Sequence, residues 1–411
     1  MRKCFFTLAC VTFLVWTFLT PSGAAAPRFK FKDLGTLNGH SYANDINNYG
    51  QVSGDTSVGN DFHGFLWTPG TPNGTSGSMI DIGVVPGYSH SQAPGINDYG
   101  QVVGHSLGER AFLWTPTTPN ASVGSMVVLG DLPGGINKAA AFGINASGQV
   151  VGYSATAAGD VAFLWSPTAR NGASGTMTSL GDLNGGQTNS LGLKINASGS
   201  VTGYGHSEAG QRGFVWRPAV DNGSVGSMSD IGDLSESGSS VAGWSINNSG
   251  QIVGGSIRNG TADNRAFRWM PESSGGGGLM MYLGDLPGGR ESSFANDING
   301  LGWVVGASDA GDVGHITPRH AFLWTPEEGM MDLNHLVDDL DPGWVIASAN
   351  AINDSGQIAA DANYFVDGKL MMQRAVLLTP VPEPELMAGM SLAALTLLRR
   401  CRSYWVTPTR R

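Results

Sequence analysis

Five residues are placed where they could do chemistry: Asn44, Asp45, Asn296, Asp297 and Asn350. They fill the two positions before an Ile that recurs along the chain. Other copies hold Pro94-Gly95, Phe142-Gly143, Leu193-Lys194 and Trp244-Ser245 there. Grouped carboxylate and amide oxygens can hold a hard cation such as Ca²⁺, or accept from sugar hydroxyls. The plainer reading is that these side chains bond local backbone in turns. A second set lies in the segments that vary most between copies: His40, Tyr42, His90, Tyr153, Tyr204, His206, Arg290, Glu291, His315 and Arg319. Loops of this kind carry binding when a rigid scaffold presents them; one by one, such residues are ordinary solvated loop. No phosphate loop, nucleophile elbow, zincin helix or EF-hand loop is present, and no two histidines have ligand spacing on one element. No catalytic residue and no metal ligand is therefore assigned, and Ca²⁺ at the polar group is the one cofactor considered.

The elements that position these residues come from an internal repeat. Ile-Asn-x-x-Gly, followed by Gln-Val-Val-Gly or a variant, starts at Ile46, Ile96, Ile144, Ile195, Ile246, Ile298 and Ile352. Ala-Phe-Leu-Trp-Thr-Pro recurs with Trp at 67, 114, 165, 216, 269 and 324, and a seventh copy, Ala375–Pro380, has Leu in the Trp place. Leu-Gly-Asp-Leu or a relative precedes each Ile motif, and a worn copy lies at Asp332–Leu336. In each Asn-x-x-Gly the Asn suits the turn entry and the Gly its positive φ. Phe65 and Trp67 point away from Leu66, so this strand is apolar on both faces and must be covered on both. Three residues before each Ile the side chain is always small (Ala43, Ala93, Ala141, Gly192, Gly243, Ala295, Ala349), as crowding at an axis requires. Trp and Phe at this strict spacing read as core.

Units of about 50 residues with about four strands each predict an all-β, seven-bladed β-propeller. The chain begins with one strand of the repeat and ends with the others. An N-terminal strand completing the last blade would close the ring and remove the exposed edges. Around the ring, Asn296, Asp297, Asn350, Asn44 and Asp45 then become neighbours, a polar arc at the channel.

Both ends stand apart from the repeats. Residues 1–26 have Arg2 and Lys3, an apolar run and Ala24-Ala25-Ala26, the layout of a secretory signal. The propeller takes 27–380, a sorting-like segment 381–402, and a short tail 403–411. The ends hold seven of 23 basic and two of 33 acidic residues, which leaves 16 against 31 in the body, near −15. Such a body repels phosphate backbones, so nucleic acid is excluded as a partner. Cys4, Cys10 and Cys401 all lie in the ends, so the body must hold without disulfides.

His320-Ala321-Phe322, with His63-Gly64-Phe65, Arg110-Ala111-Phe112 and Arg265-Ala266-Phe267, resembles the extracellular HAF-repeat family of bacterial secreted proteins over nearly all of 31–380. That resemblance implies export and repeats, and supplies no catalytic residues. Pro382-Glu383-Pro384, an apolar run from Leu386 to Leu398, and Arg399, Arg400 and Arg402 resemble the PEP-CTERM sorting signal. This implies an exosortase-type processing enzyme as partner, transient membrane association through the segment, and a secreted or cell-surface location in a Gram-negative-like bacterium. The apolar run of 13 residues is short of the ~20 that span a bilayer. The expected function is an exported envelope or matrix binding protein, taking polysaccharide or another surface protein. The alternative is a secreted hydrolase or lyase acting in the channel.

Overall fold

The computed structural model describes residues 26–382 except 108, 235–239, 259, 262, 273–276 and 312–318. The signal segment to residue 25, Glu383, Pro384, Arg399, Arg400, Arg402 and His315 lie outside the described residues. Almost everything described is strand or turn; one four-residue helix, Leu333–Leu336, stands where the worn motif runs, capped by Asp332.

The protein is a β-propeller. Largely antiparallel sheets radiate from inner strands that end at the repeated Ile: Ser41–Ile46, Gln92–Ile96, Gly135–Ile144, Gly185–Ile195, Ser240–Ile246, Ser293–Ile298 and Trp344–Ile352. Each inner strand touches the next, and Trp344–Ile352 touches Ser41–Ile46. The expectation of seven separate four-stranded blades needs correction. Five sheets have four strands each, and the other eight strands form one sheet. The reason is local: Gly185–Ile195, at 11 residues, reaches far enough for Asn189 to pair in parallel with Asp160 of Gly159–Pro167.

Phe29–Asp33 pairs antiparallel with Lys369–Pro380, from Phe29 opposite Pro380 to Asp33 opposite Val376. The N-terminal strand therefore completes the sheet formed by the last three strands.

The core lies between sheets. Trp67, Trp114, Trp165, Trp216, Trp269 and Trp324 are all buried, as is the Phe two residues before each. Most apolar clusters draw on two neighbouring sheets; one combines Phe65 and Trp67 with Ala359 and Leu377, and another, with Val151, Leu164, Phe214 and Trp216, lies between the two halves of the eight-stranded sheet. The small inner-strand residues are needed for this closeness. At Gly243 an added Cβ would sit 2.3 Å from the Thr202 hydroxyl oxygen. No described helix is long and apolar enough to cross a membrane.

Candidate functional site

The channel along the axis has two unlike ends. At the narrow end, an opening of about 170 Å³ is lined by the repeated Ile-Asn motif. Each Asn accepts the N–H groups of its own turn at Oδ1; Asn47, for example, takes Tyr49 and Gln51. Its Nδ2 donates to the main-chain oxygen of the next Asn. The chain of bonds runs Asn47 to Asn97 (2.9 Å), Asn97 to Asn145 (3.0 Å), Asn145 to Asn196 (3.2 Å) and Asn196 to Asn247 (3.1 Å). It continues from Asn247 to Asn299 (3.0 Å) and Asn299 to Asn353 (3.1 Å), and Asn353 returns to Asn47 (3.1 Å). All seven are nearly fully buried. Gly50, with φ of 86°, closes the first of these turns.

At the wide end the channel opens into a funnel of about 620 Å³. The residue two before each Ile decides its walls. Pro94, Phe142, Leu193 and Trp244 form one side; Asn296, Asn350 and Asn44 form the other. Tyr204, on the strand that follows one inner strand, adds to the apolar side, and Trp244 is 44% exposed. The Phe142 ring meets that of His105 edge-on at 5.7 Å. Burial lowers the His105 pKa to about 4, so this imidazole is neutral at pH 7.

Four of the five expected site residues, Asn44, Asn296, Asp297 and Asn350, line the funnel, and Asp45 lines the narrow side. The turn-bonding alternative needs correction: most of their bonds cross to the next inner strand. Asn296 donates to the Ala349 carbonyl (3.0 Å), Asn350 to that of Ala43 (2.7 Å), and Asn44 to that of Ala93 (3.4 Å). Asp45 accepts from Ile96 N–H (3.1 Å) and Asp297 from Ile352 N–H (2.9 Å). The arc is thus an inter-strand clamp first. Among the described residues, Asn44 Oδ1 and Asn296 Oδ1 accept no hydrogen bond, which leaves two amide acceptors for a ligand.

Three further charged groups escaped the sequence reading. Lys194 Nζ lies 2.8 Å from Asp45 Oδ1. Burial opposes its charge, but the Asp45 and Asp297 carboxylates outweigh that and hold the ammonium above the ordinary lysine range. The cation beside Asp45 is therefore the protein's own. Asp297 is raised by burial, despite the pull of Lys194, and it also accepts from Ser245 Oγ (2.5 Å). These groups lie where the funnel meets the narrow opening and divide the channel. Asp55 and Asp361 repeat one arrangement: each carboxylate takes a main-chain N–H of the next inner strand (Ala93, Ala43) and the amide of Asn44 or Asn350. Burial raises Asp55 to about 6 and Asp361 to about 7. No group of three or more His, Cys, Asp and Glu placed to hold a metal occurs among the described residues.

The variable segments are tied down in part. His90 pairs with Asp61 (3.2 Å) and Glu291 with Arg265 (3.4 Å); Arg319 lies over the Phe294 ring.

No protein-family model matches the chain, and no curated protein matches it. Among solved structures it is similar to the acylaminoacyl peptidase of Pyrococcus horikoshii, at 10% identity and a TM-score of 0.46, over 88% of this chain and 55% of that one. It is similar to a luciferin-regenerating enzyme at 9% identity and a TM-score of 0.38, over 85% and 95% of the two chains. It is also similar to the β-propeller domain of the trilobed protease from Pyrococcus furiosus, at 11% identity and a TM-score of 0.32, over 81% and 84%. No residue is carried over from any of them.

Proposed function

We propose that this chain is an exported envelope or matrix binding protein whose wide funnel takes an uncharged, polyhydroxylated ligand such as the end of an exopolysaccharide. The observation that carries this reading is the division of one cavity into an aromatic wall (Phe142, Tyr204, Trp244) and an amide wall (Asn44, Asn296, Asn350). A sugar ring has an apolar face and a hydroxyl rim, and a largely apolar pocket with few polar groups suits both. Lys194 is already matched by Asp45, so the funnel floor offers no unpaired cation to an anionic ligand.

Export through residues 1–26, the HAF-repeat kinship and sorting through Pro382, Glu383, Pro384, Arg399, Arg400 and Arg402 belong to the same reading, with an exosortase-type enzyme as processing partner. We also count the eight-stranded sheet as two blades, making the ring sevenfold. The closed ring of seven asparagines supports that count, as does the single residue pair joining the two halves. The rival reading, a hydrolase or lyase in the channel, needs carboxyls open to substrate. Asp45 and Asp297 are engaged by Lys194, Ser245 and backbone donors, which favours binding over catalysis.

The test is a glycan array probed with the full chain and with Trp244→Ala. Binding that drops at least tenfold in the variant is expected; equal binding by both sinks the funnel as the site.

A further inference from the structure

A second cavity, about 350 Å³, lies beside the funnel, lined by Tyr42, Phe62, His90, Ser91 and Leu107. Asp55 and Gln92 line both spaces, so the two adjoin. The cleft follows the seam between the first two sheets, where Ser91 N–H donates to the Phe62 carbonyl (3.0 Å). Its floor is aromatic and held in place. The Tyr42 ring lies 6.0 Å from that of Phe62, and Tyr42 Oη donates to Gln373 Oε1 at 2.6 Å. His90, which lines it, is paired with Asp61 at 3.2 Å. Leu107 stands over it, 59% exposed and with φ of 51°. This φ belongs to the tight turn that joins Val102–Ser106 to Arg110–Pro116, where Glu109 N–H donates to the Ser106 carbonyl at 3.0 Å, and it holds the Leu107 side chain out beside the cleft.

We infer that this cleft is a second subsite, and that the protein recognises the end of a linear, uncharged oligosaccharide: one unit in the funnel, the next passing over Gln92 onto Phe62 and Tyr42. This rests on the funnel reading above. Each space falls within the ~300–1,000 Å³ typical of ligand sites, and the cleft repeats the funnel's chemistry on a smaller scale. Aromatic faces meet sugar faces, and a polar rim meets hydroxyls.

The experiment is calorimetric titration of the full chain with β-1,4-linked glucose oligomers and β-1,4-linked N-acetylglucosamine oligomers of one to six units. Affinity should rise at least tenfold from one unit to three in one of the series. Phe62→Ala should remove that rise while leaving the single unit within twofold. Leu107→Gly serves as a second variant that relieves the backbone: it should raise the melting temperature and still weaken the three-unit ligand. Trp244→Ala should weaken every length. Affinity independent of length, or a rise that survives both Phe62→Ala and Leu107→Gly, overturns the second subsite and leaves the funnel standing. Indifference to Trp244→Ala, or no binding in either series, overturns the funnel and this inference with it.

Discussion

The two ends of the channel are made from the same seven strands, a few residues apart, and they obey different rules. At the narrow end every copy carries Asn, every Asn makes the same bonds, and the ring returns to its start. At the wide end, two residues before the same Ile, no such uniformity holds: Pro94, Phe142, Leu193 and Trp244 face Asn296, Asn350 and Asn44 across the axis. Sevenfold repetition suits closure, because each Asn must meet the same carbonyl on its neighbour. A ligand without sevenfold symmetry needs a site that breaks it. In a repeat fold, the place where the repeat is given up is the place to look for recognition.

Lys194 sits where the two ends meet, and replacing it should have the largest effect. Lys194→Met would leave Asp45 and Asp297 near one another without their cation, at a cost of about 3 kcal/mol. Thermal unfolding should show it as a lower melting temperature, and Lys194→Arg should recover part of the loss.

Asn145→Ala should come next. It removes a buried donor to Asn196 and the acceptor for Ser147 and Gln149, costing about 1–3 kcal/mol in denaturant unfolding. Ligand affinity in this variant should stay within twofold. A large loss of binding with little loss of stability would reverse the roles of the two ends, making the narrow one the site of recognition.

The effect of pH is smaller and of known sign. Asp361, raised to about 7, keeps its proton in the fold over a range where the unfolded chain, near 3.8, has already released it. The fold then binds more protons than the unfolded chain, so this group's contribution to stability declines as pH rises from about 4 to 7. Asp55, raised to about 6, acts in the same direction. His105, lowered to about 4, opposes them, since the unfolded chain takes a proton below 6.5 and the fold does not until about 4. Asp361→Asn isolates one contribution. Its stability relative to the natural chain should climb between pH 4 and 7 and level off above 8, as read from unfolding curves at each pH.

Trp244→Ala should change stability least, within about 0.5 kcal/mol, because the ring is 44% exposed. Paired with the lost binding expected of it, this is the counterpart of Asn145→Ala.

Much of this was legible in residue order. Period and patterning placed the buried Trp strand, the small inner residues, the turn glycines and the strand that returns to complete the last sheet. The polar arc was legible as a departure from the repeat, and it does lie at the channel. Lys194 was not, because it stood in a copy whose other residues are apolar and its partner is 149 positions away. Pairing across an axis leaves no spacing to read. Asp55 and Asp361 were hidden for the same reason, since each is held by a main-chain N–H of a different inner strand. The merging of two four-stranded units rests on how far one strand extends past its loop, between Asp160 and Asn189, and composition does not encode that reach.

The pairing of Phe29–Asp33 with Lys369–Pro380 also sets an order of events. Nearly the whole chain must be present before its first strand has a partner, and closing so long a loop is entropically costly until the intervening sheets have drawn the ends together. A chain cut short in its last strand would leave that first strand without its ladder, held only where Arg28 and Phe29 meet Val337 and Asp338, and one sheet edge open. Closure of the ring is thus a check on synthesis through the last strand: only a chain that includes Lys369–Pro380 can lock, and its first and last described strands then lie side by side in one sheet.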